Sequence, residues 1–139
     1  MVSDNEELKR EIQEKYIQIE LLNKELEQIS VQLELMKSKL NELITLKNSI
    51  NKIQKGEGFS QLGSGIFVSS NITTDNIFLV DVGRRFFVKM NKEEIHKYLE
   101  EKINNFKSAI PQISKRKSEL QNEAQKQIFE LQNLQSNQK

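Results

Sequence analysis

Ile19-Glu20-Leu21-Leu22-Asn23-Lys24-Glu25-Leu26-Glu27-Gln28-Ile29 places apolar residues at Ile19, Leu22, Leu26 and Ile29, in alternating steps of three and four. Carried forward, the count lands on Leu33, Met36, Leu40, Leu43, Lys47 and Ile50; carried backward, it reaches Ile12 and Leu8. This is the heptad of a helix buried along one narrow stripe. Toward the other end of the chain a second count starts at Leu99 and passes Ile103, Phe106, Ile110, Ile113, Lys117, Leu120, Ala124, Gln127, Leu131 and Leu134, with Lys117 and Gln127 as polar interruptions. At about 1.5 Å per residue, segments of roughly 46 and 42 residues reach about 60–70 Å, well past an ordinary globular helix. Two seams of similar length flanking a short centre predict antiparallel pairing.

Composition agrees with a helical object and argues against a compact enzyme. With one Pro, five Gly, no Trp and 29% charged residues in 139, little material is left for a broad core beyond the seams. The 21 basic and 20 acidic side chains nearly cancel, so no uniform field points to nucleic acid or to an anionic membrane. The absence of cysteine excludes a disulfide framework and thiolate metal sites. The start, Met1-Val2-Ser3-Asp4-Asn5-Glu6-Glu7, is polar and acidic rather than basic and then apolar, which predicts no secretory leader. The expected location is cytoplasmic, with the nucleus as a second compartment.

Local signals set the boundaries of one expected domain over residues 1–139: a helix over 4–55, a strand-rich centre over 56–90 and a second helix over 91–136. Ser3 or Asp4 can cap the first helix, and Gly56-Glu57-Gly58 should stop it. Asn91 is a good N-cap for the second, with Glu94 three residues on to complete a capping box. Pro111 lies between two seam residues, where a missing amide and a ring clash cost about 3 kcal/mol in a straight helix, so a bend is predicted there.

In the centre the period changes. Ile66-Phe67-Val68, Ile77-Phe78-Leu79-Val80-Asp81-Val82 and Phe86-Phe87-Val88-Lys89-Met90 are short β-branched and aromatic runs, and Ser60-Gln61-Leu62 can add a fourth strand. Gly63-Ser64-Gly65, Thr73-Thr74-Asp75-Asn76 and Gly83-Arg84-Arg85 separate them as turns. The expected fold is therefore α+β, a long antiparallel α-helical coiled-coil hairpin with two central β-hairpins. Several strands are apolar on both faces, which predicts a covering partner. Ile66, Phe67, Val68, Ile77, Leu79, Val80, Val82, Phe86, Phe87 and Val88 are the expected oligomerisation residues. The competing expectation is that the hairpins fold back onto the helix ends and cover themselves.

From Leu62 to Gly83 the chain carries Leu62, Ile66, Phe67, Val68, Ile72 and Val80-Asp81-Val82-Gly83, followed by Phe86-Phe87-Val88, Glu93-Glu94, Tyr98-Leu99 and Lys102-Ile103. Together with the order helix, two hairpins, helix, these residues resemble an alpha-class subunit of the prefoldin family, over essentially the whole chain. Beta-class subunits have one hairpin and a shorter centre. Asp81-Val82-Gly83 is similar to the subunit-5 type of alpha prefoldin, whereas Leu46-Lys47-Asn48, Ile50, Ile53-Gln54, Leu62-Gly63 and Phe86-Phe87 look more like the UXT type. The family usually has a second glycine where this chain has Arg85, which puts the geometry of that turn in question.

The resemblance implies an ATP-independent co-chaperone. In prefoldin the strands of two alpha and four beta subunits form a platform from which six coiled coils hang, holding unfolded clients, actin- or tubulin-like, for a cytosolic chaperonin. The implied partners are thus other prefoldin subunits, unfolded clients and a chaperonin, with no nucleic acid and no membrane. Here the far helix ends contain both termini, and Leu8, Ile12, Tyr16, Ile17, Ile128, Phe129, Leu131 and Leu134 are the expected client-binding tip residues, with Leu21 beside them. One alternative is a scaffold subunit of a UXT-type prefoldin-like complex, with an essential platform and dispensable tips. The other is a coiled-coil RNA-binding arm, against which the near-neutral charge argues; Lys115-Arg116-Lys117 is its one basic triplet of note.

Nothing points to a catalytic, cofactor or metal site. Lys47 and Lys117 are expected to tune register or to pair with acidic neighbours. His96 is the single histidine, with no cysteine to join it. Gly63-Ser64-Gly65 lacks the third glycine of a dinucleotide loop. Glu93-Glu94 and Glu100-Glu101 are consecutive helix residues that point in different directions, with no pocket to shift them into an acid and base pair.

Overall fold

The heptads become two long helices in the computed structural model, which describes residues 4–137; Ser3, one of the two candidate caps, lies outside them. Helix α1 spans Asp4–Ile50 and helix α2 Lys92–Ser136. Between them lie strands β1 (Gly56–Gly63), β2 (Ile66–Ile72), β3 (Phe78–Asp81) and β4 (Phe87–Met90). They pair as two separate antiparallel hairpins, β1 with β2 and β3 with β4. The chain divides into two compact units: α1 as far as Ser38 with α2 from Lys107 onward, and Lys39–Phe106.

In the first unit the seam count holds residue by residue. Leu33, Leu120, Ala124 and Leu131 are buried, and the other seam positions are half-buried while their neighbours are mostly exposed. Lys15 pairs with Glu130, and Glu25 with Arg116 at 3.5 Å, so earlier residues of α1 meet later residues of α2, as an antiparallel pair requires. Pro111 sits on the exposed side of α2, which continues through it. The carbonyl of Lys107, four residues back, therefore has no amide to accept from.

In the second unit Leu43, Ile50, Ile95, Leu99 and Ile103 form the buried core. Lys47 fills its seam position by reaching Glu100, 3.6 Å away. Helix α1 stops at Ile50, short of the glycines expected to end it. Lys52 N–H donates to the Ser49 carbonyl and Ile53 N–H to that of Ile50, three-residue bonds that tighten and close the helix. The Ser49 hydroxyl turns back onto the Thr45 carbonyl at 2.9 Å, the local competition that weakens helices at Ser and Asn. Gly56 and Gly58 consequently belong to β1. At the start of α2 the expected capping box is in place: Glu94 N–H donates to Asn91 Oδ1 at 2.8 Å and Asn91 N–H to Glu94 Oε1 at 3.4 Å. Asn76 adds a second cap, its Oδ1 accepting from Lys92 N–H at 3.0 Å.

Both hairpins close through residues with positive φ. Ser64 (51°) and Gly65 (77°) connect β1 to β2, and Gly65 suits a conformation that few side chains tolerate. Between β3 and β4 the same positions are Arg84 (51°) and Arg85 (63°), held by a bond from Phe86 N–H to the Gly83 carbonyl at 2.9 Å. The missing glycine at 85 leaves the turn intact, with two arginines in the strained region. Replacing Arg84→Asn and Arg85→Gly together should stabilise this hairpin by about 1 kcal/mol, read as slower hydrogen exchange at the amides of β3 and β4.

Candidate functional site

Pairing decides which way the strand side chains face. Phe78 is opposite Met90 and Val80 opposite Val88. Phe78, Val80 and Met90 pack against the Leu43–Ile50–Ile95–Leu99–Ile103 core, so one face of the β3–β4 hairpin lies on this chain's own helices. Leu79, on the alternate face, is exposed, as are Ile77, Val82, Phe86, Phe87 and Val88. Val80 is thus a correction to the expected oligomerisation set: it is half-buried against its own core, because a strand with apolar residues on both faces must turn one of them inward. The fold-back expectation is met by this face of this hairpin.

The β1–β2 hairpin covers itself far less. Phe59 lies opposite Ser69 and Gln61 opposite Phe67, which puts Phe59 and Phe67 on one face; Ser60 lies opposite Val68 and Gly56 opposite Ile72, which puts Val68 and Ile72 on the other. Ile66, Phe67 and Val68, three of the expected oligomerisation residues, are exposed, and so are Phe59 (77%), Leu62 (70%) and Ile72. None of these last three is in the oligomerisation set expected from the sequence. For Phe59 the available signal was an aromatic directly after Gly58, in a stretch read as a helix stop. Two strands with apolar side chains on both faces and open edges cannot hold such a surface in water by themselves.

Of the expected tip residues, Tyr16, Ile17, Ile128 and Phe129 are exposed, as is Leu21, whereas Leu8, Ile12, Leu131 and Leu134 lie in the seam. Gln135 Nε2 donates to the Tyr16 hydroxyl at 2.7 Å and ties the two helices beside this patch. Lys15, also passed over in the sequence, occupies the seam position between Ile12 and Ile19. Its Nζ donates to Gln127 Oε1 at 2.7 Å and to the Glu130 carboxylate. That hydrogen bond from Lys15 holds the Glu130 carboxyl below its ordinary value; partial desolvation opposes it, and the Lys15 and Lys126 charges reinforce it. The signal was a three-residue step from Ile12 onto a lysine.

His96 Nε2 lies 2.7 Å from Asn51 Oδ1, a link between the end of α1 and the start of α2. Lys117 makes no ion pair among the described residues, where no group of three His, Cys, Asp or Glu is placed to hold a metal and no helix is long and apolar enough to cross a membrane. The chemistry on offer is burial of apolar surface, at the hairpins and near the termini. The sequence profile of the family described as Prefoldin subunit matches residues 22–137. The chain belongs to the prefoldin family. At the level of sequence, no curated protein gives a significant match. Among solved structures the fold is similar to filamentous PFD from Methanocaldococcus jannaschii, at 22% identity and a TM-score of 0.49, over 86% of this chain and 96% of that one. Two long helices enclosing two small hairpins are the prefoldin arrangement, and two hairpins rather than one agree with the alpha class. A prefoldin subunit acts with other prefoldin subunits, as a chaperone and not as an enzyme.

Proposed function

We propose that this chain is an alpha-class subunit of a hetero-hexameric prefoldin, two alpha and four beta, which captures unfolded polypeptide at its coiled-coil tips without ATP and passes it to a cytosolic chaperonin. The observation that carries the reading is the pair of hairpins, whose exposed Phe59, Phe67, Leu79 and Phe86 have no cover in the chain itself. Strand edges and apolar faces of neighbouring subunits would satisfy them. Near the termini, Tyr16, Ile17, Leu21 and Phe129 supply apolar contact on otherwise charged helices, suited to partners with no fixed shape. Each tip would bind weakly, and the shared platform would raise the effective concentration of the others.

The test compares the assembled complex carrying the native chain with one carrying Tyr16→Ser, Ile17→Ser and Phe129→Ser, by suppression of aggregation of chemically denatured actin. The substituted residues lie outside the seams, so assembly should be unchanged while capture falls roughly twofold or more, because one class of tip is lost from a multivalent set. Unchanged capture in an intact complex would instead favour a scaffold subunit of a UXT-type prefoldin-like complex.

A further inference from the structure

One whole layer of the helix pair near the termini is polar. Lys15 stands where the α1 heptad calls for an apolar side chain, and it stays there, its side chain only 21% exposed. Gln127, the seam residue of α2, accepts from Lys15 Nζ at 2.7 Å, and its own Nε2 donates to Glu123 Oε1 at 2.9 Å; Glu130 completes the layer as the partner of Lys15. On the terminal side of this layer the described seam holds Leu8, Ile12, Leu131 and Leu134, of which only Leu131 is fully buried. On the inner side the seam next to this layer is apolar, at Ile19 and Leu22 in α1 and at Leu120 and Ala124 in α2; Lys117, the next polar seam residue, lies beyond them and makes no ion pair among the described residues.

We propose that the Lys15–Gln127–Glu130 layer is the boundary at which the terminal end of the helix pair opens. Lys15 is then a positioning residue for the apolar surface near the termini. An apolar layer resists opening because its side chains lose burial. The groups of this layer exchange their hydrogen bonds for water at a smaller net cost, since the ion pair is already partly exposed. Past the layer, residues 4–14 of α1 are too few to stay helical alone, since isolated helices shorter than about 12–15 residues are marginal. Once the layer hydrates, residues 4–14 and 131–137 therefore separate together, exposing Leu8, Ile12, Leu131 and Leu134 next to Tyr16 and Ile17. Opening itself does not depend on the proposed function; its use in client capture does.

Hydrogen exchange on the full chain within its native assembly tests this, with Lys15→Leu and Gln127→Leu combined to make the layer apolar. Exchange at residues 4–14 and 131–137 should slow by about tenfold while residues 19–36 keep their rates. Glu130→Gln, on a partly exposed side chain, should act in the opposite sense and speed exchange in the same two segments. Unchanged rates at the terminal segments in the double variant would mean ordinary end fraying. A slowing spread evenly over both helices would mean general stabilisation. Either overturns the boundary. If local exchange slows as expected, capture of denatured client should fall with it; slowed exchange with unchanged capture would leave the boundary standing and refute the tip reading of function.

Discussion

Phe67→Asp combined with Leu79→Asp should expel the chain from its complex while leaving its helices folded. Phe67 is exposed on the β1–β2 hairpin, and Leu79 lies on the face of β3 turned away from Phe78 and Val80. Neither belongs to the buried core, so circular dichroism of the variant should match the native chain. In a subunit interface each new carboxylate would be desolvated without a partner, at several kcal/mol, and even half that total weakens association by more than roughly a thousandfold. The readout is intact mass of the complex recovered on the tagged chain. Val80→Asp is the informative contrast: it puts the charge against Leu43, Leu99 and their neighbours, so it should lose helix and hairpin stability before assembly is reached. A double variant that still co-purified with the other subunits in normal yield would show that the hairpins do not carry the contacts.

The second large effect is expected at Leu99. Its side chain is 3% exposed in the cluster with Leu43, Ile50, Ile95 and Ile103. Leu99→Ala leaves a cavity in the middle of this cluster, at a cost of about 2–5 kcal/mol. For a chain of this size the melting temperature should drop by roughly 5–15 °C. Ile17→Ala removes a similar volume from an exposed position and should change stability by less than about 0.5 kcal/mol. Because Phe78, Val80 and Met90 rest on the same core, Leu99→Ala should also loosen the β3–β4 hairpin and weaken assembly, although Leu99 itself faces no partner. Thermal unfolding followed at 222 nm, with parallel recovery of the complex, measures both.

What could be read in advance depended on how many residues each decision rested on. The helices were legible because a dozen seam positions repeat one period, so a lysine at 47 or 117 does not obscure it, and the cap at Asn91 was legible because two side chains agree. The end of α1 was not, since it turns on three-residue backbone bonds at Lys52 and Ile53 and on Ser49 bonding back to the Thr45 carbonyl, weak local effects beside the conspicuous glycines at 56 and 58. Strand β1 was only half visible: Gly58, Ser60 and Gln61 have little strand preference, and the strand exists through its pairing with β2. For β3 the existence of the strand was plain but its inward face was not, because Phe78, Leu79 and Val80 are all apolar and only the packing on Leu99 and Ile95 selects between them. Lys15 was missed for a related reason. A lysine in a heptad reads as a break until its partners Gln127 and Glu130, more than a hundred residues away, are seen beside it.

The measurement that bears most directly on the central claim is native mass spectrometry of whatever co-purifies with the tagged full chain from undisturbed cell extract. The expected result is a discrete complex in which the chain is joined by other prefoldin subunits in fixed stoichiometry. Recovery of the chain alone, or with partners that include no prefoldin subunit, would contradict it.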